Sequence, residues 1–196
     1  MKLKKLLLIG VVLLPMLACD EPDTSYLTET NLVIDIPITA HLSTFNENAN
    51  PAIENYDFNG IGIFCLRYSN ELKGCPGDIM QIIPGTGSTL SFEWLKSSET
   101  IKKLQLNISY KTQGESLYAK IKTVDLLQAG SSLHNTNKSV NLDDILAPLI
   151  NRLNENPRYY ISIQVNGTAN FNINKNAEVS IPMLIETEYH APRFTL

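Results

Sequence analysis

Three cysteines, three histidines and a few adjacent carboxylates are the residues of this chain whose types could do chemistry. Cys65 and Cys75 form a candidate disulfide. In an oxidising compartment, a bridge between them closes a loop of about 11 residues and contributes about 3 kcal/mol in the chain-entropy model. The alternative is a buried thiol at Cys65 and a loop thiol at Cys75 that never meet. A cysteine nucleophile needs a base beside it, and no histidine lies near either residue in sequence. His41, His134 and His190 show no HxH or HExxH spacing, so no metal ligand set is expected. Asp143 and Asp144 could hold a hard cation, but two acids at the start of a helix are explained by the helix dipole. Glu186 and Glu188 share one strand face. Glycoside hydrolysis needs its two carboxylates across a cleft, so this pair reads as a solvated edge. No GxSxG, P-loop or GxGxxG context occurs, and Gly85 and Gly87 after Pro84 read as a turn. The expectation is a protein with no catalytic residues and no cofactor. Aromatic recognition is the remaining chemistry, and the candidates are Tyr26, Tyr56 and Trp94. Trp94 shares strand parity with Leu90 and Phe92, so core packing is the alternative for it.

The third cysteine sits in an address. Met1 to Lys5 is basic, and Leu6 to Ala18 (LLLIGVVLLPMLA) carries no charge. As a helix this run reaches about 20 Å, too short for a bilayer core of roughly 30 Å. A basic start, an apolar middle and a small residue before the cut describe a secretory signal peptide. Met16-Leu17-Ala18-Cys19 resembles a bacterial lipobox, in which the Cys19 thiol is diacylated before cleavage. The resemblance implies a mature protein that begins at Cys19 and is held to the membrane by several acyl chains, palmitate among them, which anchor stably where one chain does not. Asp20, Glu21 and Asp23 follow at once. An acidic cluster there resembles the export signal of surface-exposed lipoproteins in one large Gram-negative group; an Asp after the Cys also resembles an inner-membrane retention signal in enteric-type lipoproteins. The outer membrane and the cell surface are the expected location, with a periplasm-facing anchor as the alternative. Residues 19–31 read as lipidated cysteine and acidic flexible tether.

Removal of residues 1–18 leaves 178 of the 196 residues, enough for one well-buried domain over 32–196. It also removes Lys2, Lys4 and Lys5, leaving thirteen basic against twenty acidic residues, a net charge of −7. That balance excludes nucleic acid as the main partner. Apolar residues at 43% and charged residues at 18% exclude a disordered or coiled-coil chain.

The elements that must carry these residues are strands. Leu32, Ile34, Ile36, Ile38, Ala40 and Leu42 alternate with polar residues, and Pro37 must lie at an edge or bulge because it cannot donate to a ladder. Phe58 to Tyr68 is a second strand, in which Gly60 and Gly62 allow close backbone approach. Ile79–Ile83 and Thr89–Trp94 flank a Pro-Gly turn, and Leu104–Tyr110 forms a hairpin with Leu117–Val124. Leu142, Ile145, Leu146, Leu149, Ile150 and Leu153 recur at helical spacing after Asn141, a candidate N-cap. Pro148 predicts a kink, or a 3₁₀ turn leading into a helix that starts near it. Tyr159 to Ile173 alternates on one parity around Gly167, where a bend is expected to carry the strand between sheets. Ala177 to Ile185 should return antiparallel, making a long hairpin the spine of the domain.

These elements predict a mainly β fold, an antiparallel β-sandwich of Ig-like type with one amphipathic helix near 142–155. The order of amphipathic helix, YYISIQVNGTANFNI and AEVSIPMLIETEYHAPRF resembles the C-terminal half of type-2 late embryogenesis abundant domains. The resemblance covers roughly residues 142–194; it implies an Ig-like sandwich and brings no catalytic residue. The functional expectation is a lipid-anchored, non-enzymatic binding or adhesion module whose partner is a glycan or an envelope protein. The alternative is a structural accessory subunit of an envelope or fimbria-like assembly, which should show an open sheet edge or a groove for a donated strand.

Overall fold

The computed structural model of the chain describes residues 26–45, 55–72 and 78–191. Lys2, Lys4, Lys5, Cys19 and the acidic cluster after it, together with Cys75, lie outside these residues. Among the described residues, nine strands and one helix follow in order: β1 (Tyr26–Thr44), β2 (Tyr56–Cys65), β3 (Asp78–Pro84), β4 (Thr89–Ser91), β5 (Ile101–Lys111), β6 (Ala119–Asp125), β7 (Ser139–Asn141), α1 (Asp143–Glu155), β8 (Tyr160–Ala169) and β9 (Asn174–Ala191). Two 3₁₀ turns, Leu66–Tyr68 and Asn70–Leu72, lead out of β2. The fold is mainly β and antiparallel, a sheet curled into a half-barrel in the order β6-β5-β8-β2-β1-β9-β4-β7, with β3 beside β4 on the edge of β9.

Period-2 alternation sets the inside of the curl. Ile34, Ile36, Ile38, Ala40 and Leu42 of β1 are buried with Leu104, Leu106 and Ile108 of β5, Ile161, Ile163 and Val165 of β8, and Ala177 to Ile185 of β9. Helix α1 closes the open side. Its apolar stripe of Leu146, Leu149, Ile150 and Leu153 is buried, and it lies against β3 on one flank of the half-barrel and β6 on the other. One side chain ties it there: Asn154 Oδ1 accepts from Ile82 N at 2.7 Å and Asn154 Nδ2 donates to Ile82 O at 2.8 Å, as a neighbouring strand would.

Several expectations change. β1 begins at Tyr26, so residues 26–31, expected in the tether, pair with β9. Helix α1 begins at Asp143 and runs through Pro148, and does not start near the proline. Ile145 N bonds Leu142 O in a 3₁₀-type first turn, and one missing donor at Pro148 is outweighed by burial of the whole stripe. The N-cap is Leu142; Asn141 instead accepts from Asp143 N through its side chain at 2.9 Å.

The larger correction concerns β8 and β9, which do not form a hairpin. β8 pairs β2 and β5, while β9 pairs β1, β3 and β4. The expected strand to Ile173 stops at Ala169, because Asn170 turns into the loop before β5: its N–H donates to Thr100 O at 3.0 Å and its Oδ1 accepts from Thr100 N at 2.7 Å. Residues 170–173 then cross beneath β2 and reach β1, where Thr44 and Ile173 exchange bonds. Phe171 and Ile173 still pack against the core from this crossing, which is why the parity continues past the end of the strand. The spine is β1 with β9, in register without a shift from Tyr26↔Ala191 to Ser43↔Asn174.

Gly167 stays inside β8 and does not lead to a second sheet; the irregularity is on its neighbour. β5 carries a bulge between Ile101 and Lys103, opposite Ala169 and Thr168 and next to the Leu104↔Gly167 pair. A Cβ on Gly167 would collide with the carbonyl oxygen of Lys103 and stand 2.5 Å from Phe58 Cζ, so only glycine lets β5 approach. On β2, a Cβ at Gly60 would be 2.5 Å from Leu42 Cδ2, and one at Gly62 2.5 Å from Ile38 Cγ2.

Candidate functional site

The parity opposite to the core makes the outer face of the half-barrel, and the register arranges it in rows. Asp57 of β2 stands opposite Thr168 of β8, which stands opposite Lys103 of β5. The next row is Asn59, Asn166, Gln105 and Asp125, one residue from each of β2, β8, β5 and β6. Ile61, Gln164, Asn107 and Thr123 form the third. Around Ile61 and Lys103, these rows carry amides, hydroxyls and carboxylates that hold one another. Thr168 Oγ1 donates to Asp57 Oδ1 at 2.8 Å, Gln105 Nε2 to Asp125 Oδ1 at 2.8 Å, Gln164 Nε2 to Asn166 Oδ1 at 3.1 Å and Thr123 Oγ1 to Asn107 Oδ1 at 2.6 Å.

The β5 bulge shapes the end of this grid. An added residue lets Ile101 and Leu104 both face the core while Lys102 and Lys103 both face out. Lys102 Nζ reaches Asn55 Oδ1 at 2.6 Å, and Lys103 lines a cleft of about 400 Å³. The first two rows form the walls of this cleft, Phe58 and Leu104 its floor, and Phe45, 59% exposed, its rim. A second cavity of about 600 Å³ shares Lys103, Leu104 and Asp125, adds Lys102 and continues along Leu127 to Gly130. The two make one trough across the strands.

A different cleft, of about 420 Å³, opens where β1 and β2 part. The pair is bonded from Thr44↔Phe58 to His41↔Ile61, and beyond it Ile36 and Pro37 face Ile63, Phe64 and Cys65 across a gap. Pro37 can donate nothing there. Tyr68 and Tyr160, ring centroids 6.5 Å apart, flank the gap, and exposed Ile63 continues it onto the outer face. Cys65 lies 7% exposed at its base with Sγ 3.9 Å from Pro157 O. In the reduced chain, burial pushes its thiol above the ordinary range, against weaker help to the thiolate from the backbone of Tyr68 and Arg67, so that the reduced residue is a protonated thiol at neutral pH.

The other residues singled out by sequence are dispersed. Cys19 and Cys75 lie outside the described residues, as does the side chain of Tyr26, the first residue of β1. Tyr56 is half-buried at the start of β2, opposite Ala169. Trp94 is not an open platform: it is half-buried, edge-on to Phe92 and Phe171 at 5.9 and 6.0 Å, and its Nε1 donates to Asn176 O. His41 contacts Asn176 on β9, and His134 contacts Thr100 and Ser132, so the two stand apart on different elements. Asp143 serves the fold. Its carboxylate accepts from Gly87 N at 3.0 Å, Ser88 N at 2.7 Å and Asn141 Nδ2 at 3.1 Å, and these bonds hold its pKa down to about 2. Among the described residues, no three His, Cys, Asp or Glu side chains cluster to hold a metal ion, and no helix is long and apolar enough to cross a membrane.

The cleft residues Asp57, Asn59, Lys103 and Asp125 carried no signal of their own in the sequence. The legible signal was collective: the polar parity of β8, Ser162, Gln164, Asn166 and Thr168, is made of amides and hydroxyls, and so is that of β5 at Gln105, Asn107 and Ser109. Comparison with protein-family models finds no match, and comparison with curated proteins finds none either. The reading of the site rests on its geometry.

Proposed function

We propose that this protein is a bacterial outer-membrane lipoprotein, anchored through acylated Cys19 and displayed at the cell surface, that acts as a non-enzymatic binding module. The single observation that supports the reading is the outer-face trough. Four strands converge short polar side chains on one cavity, and mutual hydrogen bonds hold those side chains in place before any ligand arrives. Such preorganisation lowers the ordering cost of binding. The MLAC segment and the acidic residues after it support the anchor and the location. In this reading the trough faces outward because the sheet's other face is filled by its own core.

The test has two arms. Cys19→Ala is expected to move the protein from the detergent phase to the aqueous phase on phase separation; retention in the detergent phase refutes the anchor. In the second arm, purified protein is incubated with envelope extract and with a glycan panel. Silence in both refutes the binding module, and a measurable hydrolase activity would replace it with an enzyme.

One observation favours the alternative, a structural accessory subunit: β1 and β2 part beyond His41 and Ile61 and leave an apolar gap between two strands. A strand from another subunit would enter there by pairing with the two edges. A cysteine at position 63 that cross-links to a neighbouring subunit in intact cells would support this reading over the first.

A further inference from the structure

We infer that the ligand of the outer-face trough is a neutral oligosaccharide. The inference rests on the binding-module reading and names the ligand of the same site. A sugar hydroxyl both donates and accepts, and vicinal hydroxyls are matched by planar groups that present a donor and an acceptor, or two acceptors, side by side. The central row supplies that set in sequence: the amide of Asn59, the amide of Asn166, the amide of Gln105 and the carboxylate of Asp125. Charge narrows the class. The lining of the trough sets Asp57 and Asp125 against Lys102 and Lys103, so its charges balance, in a mature chain whose thirteen basic and twenty acidic residues leave a net charge of −7. A balanced site on an acidic chain gives no cluster of cations to uronic-acid, sulfated or phosphate-bearing polymers and no acidic patch to a basic peptide, which leaves uncharged ligands. Shape sets the length. The two cavities run into each other at Lys103, Leu104 and Asp125 and stay open to solvent, so they fit a chain of several sugar units lying across the strands. Phe45 at the rim is the exposed ring on which the apolar face of a pyranose stacks.

The experiment uses the full exported chain, solubilised in detergent, on an array of neutral, uronic-acid-containing and sulfated oligosaccharides, followed by calorimetry with the best neutral binder. Binding is expected to neutral members only, and to strengthen from disaccharide to tetrasaccharide. Asn166→Ala with Gln105→Ala should weaken it about tenfold, and Phe45→Ala, at an exposed site, should weaken it to a similar degree without lowering the melting temperature. Silence across the array, binding confined to acidic members, or neutral binding untouched by both variants overturns the inference. A photo-cross-linker at position 105 separates the two levels of the argument. If the array is silent and the cross-linker captures an envelope protein, the binding module stands and the oligosaccharide falls. If it also captures nothing, both fall.

Discussion

Gly167→Ala puts one methyl group where the fold has no room, and its cost can be worked from the atoms it would meet. The new Cβ would overlap the carbonyl oxygen of Lys103 and lie 2.5 Å from Cζ and 2.8 Å from Cε1 of Phe58. Neither neighbour gives way easily. The Lys103 oxygen belongs to the backbone of β5 at its bulge, and the Phe58 ring is 1% exposed, so it cannot swing outward. Overpacking of this kind costs about 1–3 kcal/mol. With a urea m-value of about 2 kcal/mol per molar, the midpoint should fall by about 1 M. Gly167→Val should fall further. Thr168→Ser is the control: it lies next in sequence on the outer face and keeps the hydroxyl that donates to Asp57 Oδ1. Its midpoint should stay near that of the wild type. The double variant Phe58→Leu with Gly167→Ala should lose less than the sum of the two, because shortening the ring removes one of the two collisions. Equilibrium urea unfolding followed by tryptophan fluorescence reads these variants and Phe58→Leu alone, since Trp94 packs against the crossing that follows β8. If Gly167→Ala unfolds at the wild-type midpoint, the close approach of β5 to β8 is wrong, and the shape of the trough built on it is wrong too.

Acid should reach the turn after β3 through Asp143. Its carboxyl is held down to about 2 by the Gly87 amide first, then by Asn141 and Ser88, so between about pH 4 and 2 the unfolded chain binds the proton and the folded chain does not. Stability is therefore fully present above that window and lost as pH falls through it. Asp143→Asn should flatten this part of the pH–stability curve in urea titrations, and an unchanged slope refutes the assignment. Asn154→Ala should destabilise by about 1 kcal/mol by leaving both polar groups of Ile82 to solvent, and Asn154→Asp by more, since a carboxylate then faces the Ile82 carbonyl; the reverse order in thermal melts refutes the strand-like role of this amide. Non-reducing mass spectrometry of exported protein should find Cys65 linked to Cys75, and two freely alkylatable thiols refute the bridge.

Alternation told which residues face the core, and there the sequence was legible. Ile34 to Leu42, Leu104 to Ile108, Ile161 to Val165 and Ala177 to Ile185 are all buried as their parity requires, and the helical stripe after Asn141 is α1. Partners were not legible, because parity says which way a side chain points and not which strand lies beside it. Residues 159–173 and 177–185 look like the arms of a hairpin, yet two strands, β2 and β1, stand between them. The helix near 142–155 was legible from its stripe; the role of Pro148 was not, because burial of the stripe on both sides of the proline carries the helix through it. The trough was hidden for a related reason: Asn59, Gln105, Asp125 and Asn166 come from four separate stretches of chain, and only the register brings them into one row.

The long pairing of β1 with β9 has a consequence for the timing of folding. The strand made first among the described elements has for its principal partner the strand made last, with every other element in between. Closing so long a loop carries an entropic cost before any contact repays it, so the domain belongs among slow folders. A nascent chain that lacks Asn174–Ala191 leaves one edge of β1 bare along its whole length, and β3 and β4 without the strand they are laid against. The half-barrel is therefore complete only once β9 has paired. By the order of its strands alone, this topology holds back the last step of compaction until β9 is made.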